Sequence, residues 1–108
     1  MKKIVKITIC LLLLLNIKPV LADTAVAKIG TTNYNSITEA INAASENAEI
    51  ILLQDRLEKI EIPEGKKITI NLNNHTLMNS GAVVLSDWYI IYNNGNLTLK
   101  GPGVIDCI

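Results

Sequence analysis

The chain has 108 residues, a length for one domain, and its ten basic and ten acidic residues cancel to a formal charge of zero. The charge is unevenly placed, because Lys2, Lys3, Lys6 and Lys18 hold four of the ten bases and leave residues 23–108 with six bases against ten acids, a net −4. An acidic remainder lacks the basic surface that nucleic-acid binding and attraction to anionic membranes require, and Cys107, its only cysteine, leaves no partner for an intrachain disulfide.

Residues 1–22 have the order of a secretory signal peptide. Lys2, Lys3 and Lys6 form a positive start, Ile7 to Leu15 is a largely apolar stretch, and Asn16, Lys18 and Pro19 break it before Val20-Leu21-Ala22. Spanning a bilayer takes about 20 apolar residues, roughly twice this run, so a cleaved signal fits better than a membrane anchor. Cys10 lies inside the apolar stretch instead of at a cleavage junction, which argues against a lipoprotein. Cleavage after Ala22 is expected to release an 86-residue exported protein, secreted or held at the cell surface, with no remaining transmembrane segment.

Residues 23–48 predict a strand followed by a capping helix. Ala25 to Ile29 reads as a short extended segment stopped by Gly30 and the polar run Thr31-Thr32-Asn33. Ser36 and Glu39 then have the S-x-x-E spacing of a capping box, in which each side chain satisfies a backbone donor at a helix start. Behind them Ile37, Ala40, Ile41 and Ala44 recur at i, i+3, i+4 and i+7, one narrow apolar face of a helix expected to end near Asn47.

From Glu49 the period falls to two and every apolar cluster is short. Ile50 to Leu53 ends at Gln54-Asp55-Arg56; Leu57 to Ile62 sets Ile60 and Ile62 against Lys59 and Glu61 and turns at Pro63-Glu64-Gly65. Ile68, Ile70 and Leu72 alternate with Lys67, Thr69 and Asn71 before the corner Asn73-Asn74-His75. Leu77, Ala82 to Leu85, Tyr89 to Tyr92, Leu97 to Leu99 and Val104-Ile105 follow, separated by Asn- and Gly-rich corners. Ile68-Thr69-Ile70 matches Leu97-Thr98-Leu99 at an offset of 29, and His75-Thr76-Leu77 matches Gly103-Val104-Ile105 at 28. A period in the high twenties suits one turn of a solenoid.

Ala25-Val26-Ala27-Lys28-Ile29-Gly30, the segment from Tyr34 to Ala44, and Ile50 to Asp55 resemble the opening of secreted bacterial proteins with a pectate-lyase-like right-handed parallel β-helix. Ile62-Pro63-Glu64-Gly65 and the strand leading into Leu72-Asn73-Asn74-His75-Thr76-Leu77 extend the likeness, with Asn74 where that group commonly has glycine. The resemblance implies a mainly β fold, the start of a right-handed parallel β-helix, with an N-terminal amphipathic helix capping the first coil and residues 49–108 forming incomplete coils. It also implies an open apolar end through which copies could self-associate, because single repeats cannot bury their own apolar face.

Chemistry is sparse in this pattern. His75 is the sole histidine and sits in a corner, no metal-ligand set surrounds it, and Asp55, Asp87 and Asp106 are scattered beside turns, so no catalytic residue, cofactor or metal is assigned. Arg56 is expected to pair with Asp55 or Glu58. Trp88, Tyr89 and Tyr92 are three of the four aromatics; in an extended segment Trp88 and Tyr92 share a face, where they could stack on sugar rings or simply cover the fold. The expectation is an exported non-enzymatic module for display, adhesion or glycan contact, with a polysaccharide as the possible partner. The alternatives are the N-terminal remnant of a polysaccharide lyase or hydrolase and a truncated product without a function of its own.

Overall fold

Gly30 sets the first turn. In the computed structural model, which describes residues 24–79 and 89–106, β1 (Ala27–Ile29) and β2 (Thr32–Tyr34) run antiparallel with Ile29 opposite Thr32. The connecting loop is therefore Gly30-Thr31, with Gly30 at φ 58, as a two-residue hairpin with glycine first requires. The expected signal segment, the Ala82–Leu85 run, Asp87, Trp88 and Cys107 lie outside the described residues.

Ser36, with extended backbone, opens α1 (Ile37–Ala43), which buries Ile37, Ala40 and Ile41 on one face. The helix ends earlier than the expected Asn47. Ala44 is already extended at φ −65 and ψ 131, and Asn47 takes φ 65, so the intervening residues form a turn. That turn is set by tertiary contact: Asn47 N donates to Lys67 O, which draws the chain off the helix axis toward the next strand.

The remaining strands are β3 (Ala48–Leu52), β4 (Arg56–Leu57), β5 (Ile60–Ile62), β6 (Lys67–Asn71), β7 (Thr76–Met78), β8 (Ile91–Asn93), β9 (Asn96–Lys100) and β10 (Val104–Asp106). They form a five-stranded sheet in the order β2-β1-β3-β6-β9, a three-stranded sheet β10-β7-β4 and a two-stranded sheet β5-β8. The expected Leu57–Ile62 segment is thus two strands in different sheets, and Leu57 is exposed.

This arrangement corrects the expected right-handed parallel β-helix. The largest sheet is mixed, because β1 is antiparallel to both β2 and β3, and the described residues form a compact mainly β domain of three small sheets and one short helix. The physical reason is the glycine hairpin: antiparallel strands need only a two-residue link, whereas parallel ones need a long crossover. Ala25 to Ile29 reads as a lone strand in sequence because the Thr-rich return strand looks like loop. The internal match has a narrower meaning, since β6 and β9 pair in parallel with Ile68 beside Leu97 and Ile70 beside Leu99, and β7 and β10 pair with Leu77 beside Ile105.

Alternation decides the core. Ile50, Leu52, Ile60, Ile62, Ile68, Ile70 and Leu77 point inward and meet Ile37 and Ile41 from α1. Between strands, Asn73 and Asn74 take φ 49 and 64, left-handed values that Asn accepts more readily than other side chains. Gly95 and Gly103 are needed for a different reason, which is close backbone approach. A Cβ on Gly95 would lie 2.5 Å from Lys66 O and 2.6 Å from Pro63 O, and one on Gly103 would meet Leu72 and His75 O. Gly95→Ala and Gly103→Ala are each expected to lower the unfolding free energy by about 1–3 kcal/mol, measured by denaturant melts; an unchanged midpoint would contradict this packing.

Candidate functional site

Polar side chains hold both ends of α1. Ser36 Oγ accepts from Glu39 N at 3.0 Å, while Glu39 Oε2 accepts from Asn35 N at 3.2 Å, one residue before the cap. Glu58, just beyond β4, reaches the same helix start: its Oε1 accepts from Ile37 N at 3.2 Å, and its Oε2 accepts from Thr38 N at 2.8 Å and Thr38 Oγ1 at 2.7 Å. Arg56 Nε donates to Glu58 Oε1 at 2.8 Å, so of its two expected partners Arg56 takes Glu58. At the other end Lys66 Nζ donates to Ala44 O at 2.6 Å and Asn42 O at 3.3 Å. A carboxylate at the N-terminus and an ammonium at the C-terminus both oppose the helix dipole favourably.

Glu58 carries a perturbed carboxyl. Partial burial pushes its pKa up, but the hydrogen bonds from the Thr38 hydroxyl, Arg56, and the Thr38 and Ile37 amides outweigh it and hold the group below its ordinary value. These contacts anchor the helix and leave the carboxylate only 11% exposed, which suits a structural role.

The surface offers a different cluster on the β5-β8 sheet. Tyr92 pairs with Glu61 across the two strands, and both project outward because Ile60 and Ile62 point into the core. Tyr89 joins them: its ring centroid lies 5.6 Å from that of Tyr92 with the planes tilted by 48°, and the two residues are 37% and 50% exposed. Lys59 Nζ sits 5.8 Å from the Tyr89 centroid, at the outer range of a cation–π contact. Asn94 Nδ2 donates to Glu61 Oε1 at 3.4 Å, completing a patch of two rings, an ammonium, a carboxylate and an amide.

Sequence reasoning places Tyr92 in this patch but partners it with Trp88, which lies outside the described residues. An uninterrupted strand would send Tyr89 and Tyr92 to opposite faces; the chain instead bends at Ile90, which is buried, and β8 begins only at Ile91. The bend is what brings Tyr89 to the side of Tyr92. Alternation alone carries no signal for it.

His75 and Asp55 meet at a corner. Asp55 Oδ1 lies 3.4 Å from His75 Nδ1 and accepts from Thr76 N at 2.9 Å, while His75 O accepts from Val104 N at 3.1 Å. The carboxylate thus ties two turns together. Among the described residues no group of three or more His, Cys, Asp or Glu could hold a metal ion, and no helix is long and apolar enough to cross a membrane.

Comparison with protein-family models, curated proteins and solved structures finds no match to this chain. The expected likeness to pectate-lyase-like proteins therefore gains no support from relatives, and the mixed sheet argues against it.

A direct test concerns Glu58. Because its folded pKa is depressed, its contribution to stability is fully present above the ordinary glutamate value of about 4.3 and is lost as pH falls through the folded value. Glu58→Gln is expected to cost about 1–3 kcal/mol at neutral pH, and the difference between variant and parent should shrink in acid. Equal stabilities at pH 7 would contradict the role assigned to this carboxylate.

Proposed function

We propose that this chain is an exported, non-enzymatic module of a secreted or surface protein that contacts polysaccharide through the Tyr89–Tyr92 patch. The single observation behind this reading is the exposed, tilted tyrosine pair beside Glu61 and Asn94. Pyranose rings have apolar faces that suit aromatic planes, and their hydroxyls suit carboxylate and amide partners. The groups gathered here include one carboxylate, Glu61, whereas most glycoside hydrolysis uses a pair, so binding fits the patch better than cleavage. The signal-like pattern of residues 1–22 supports export to where such polymers occur.

Affinity electrophoresis through gels containing neutral or acidic polysaccharides tests the proposal. The parent should be retarded by at least one polymer, and Tyr89→Ala and Tyr92→Ala should each weaken that retardation by about tenfold, the worth of one aromatic contact. A folded parent that migrates unchanged in every gel, or retardation indifferent to both substitutions, would overturn it.

A second reading is association of copies, favoured by one observation: Leu99, Val104 and Ile105 at the β9 and β10 edges are exposed.

A further inference from the structure

β9 is the edge of the five-stranded sheet and β10 the edge of the three-stranded one. Both repeat the inward pattern of the strands beside them with less burial. Ile70 is fully buried while its neighbour Leu99 is 45% exposed, and Leu77 is fully buried while its neighbour Ile105 is 38% exposed. These side chains have packing on one side only.

The phase of the free edge follows from two hydrogen bonds that bracket β9. Asn96 N donates to Lys66 O, and Lys100 O accepts from Leu72 N, each at 2.8 Å. In a parallel ladder the bonding direction alternates along the strand. Asn96, Thr98 and Lys100 therefore turn their backbone groups toward β6, and Leu97 and Leu99 turn theirs to the open side. An open edge of this kind is a template for another strand.

We infer that the open edge of β9 pairs with β9 of a second copy, antiparallel, about a two-fold axis at Thr98. This rests on the association reading and fixes its geometry. Asn96-Leu97-Thr98-Leu99-Lys100 has the same polar and apolar order in both directions. Centring the axis on Thr98 sets Leu97 against the second copy's Leu99, so that their free N–H and C=O groups bond, and sets Asn96 against Lys100 with no like charges opposed. Centring it on Leu97 or Leu99 would strand one leucine opposite Gly95 or Gly101. At the far side α1 packs on β1, β2, β3 and β5 and closes the core, so among the described residues head-to-tail stacking meets no matching apolar end. The contact is isologous and stops at a dimer.

Cysteine cross-linking reads the register. In a background with Cys10→Ser and Cys107→Ser, Thr98→Cys should form a disulfide-linked dimer under mild oxidation. A non-hydrogen-bonded antiparallel pair places Cα atoms about 4.5 Å apart, within disulfide reach. Asn96→Cys should not link to itself, because the two copies would lie about 14 Å apart at that position. Light scattering should give a dimer mass for the parent at micromolar concentration, and Leu99→Lys, checked for a cooperative melt, should weaken dimerisation by roughly a hundredfold. A parent that stays monomeric overturns association altogether. A dimer that links through Asn96→Cys, or fails to link through Thr98→Cys, overturns this register and leaves association standing.

Discussion

A helix of seven residues does not hold itself together in water, since nucleation outweighs the few hydrogen bonds it gains. Here α1 is held from outside, by Glu58 at its first amides and Lys66 at its last carbonyls. Both anchors come from the strand-bearing part of the chain, twenty or more residues away in sequence. With both ends satisfied, Ile37, Ala40 and Ile41 can face β1, β3 and β5 and close the core on that side. On the opposite side, at β9 and β10, Leu99, Val104 and Ile105 are exposed, and among the described residues this asymmetry between a closed and an open side organises the fold.

Local chemistry was legible in sequence where a single residue decides the outcome. Ser36 and the apolar spacing of Ile37, Ala40 and Ile41 mark the helix start and its buried face, and the alternation around Ile68 and Ile70 marks a strand. What sequence does not carry is tertiary: the helix stops at Ala43 because Asn47 N and Lys66 Nζ find partners across the fold, and no glycine or proline announces it. The architecture is hidden from sequence for a similar reason. Corner spacing and an offset near 29 report which strands lie side by side, and they do so correctly for β6 and β9, but they are silent on the antiparallel hairpin at Gly30 that makes the main sheet mixed.

The surface patch shows the same division. Tyr92 and Glu61 follow from alternation on paired strands, whereas Tyr89 enters through the bend at Ile90 that breaks the period. The half-buried carboxylate of Glu58 is legible only as a partner for Arg56; its larger role, in capping α1, depends on a contact with Thr38 twenty positions earlier. In the proposed reading, the exposed aromatics on one sheet and the open edge of another are separate surfaces with separate tasks. A dimer joined at β9 would present two tyrosine patches, and two weak polysaccharide contacts acting together bind far more strongly than one.

Hydrogen exchange of the Ile37 and Thr38 amides across a pH series, corrected for intrinsic rates, tests the anchoring of α1 most directly. Both donate to Glu58. Their protection should be high at neutral pH and should fall as the Glu58 carboxyl protonates, and β3 amides should lose protection with them, because α1 packs on that strand. Protection at Ile37 and Thr38 that ignores the Glu58 titration, or loss at the helix with β3 unaffected, would contradict the account.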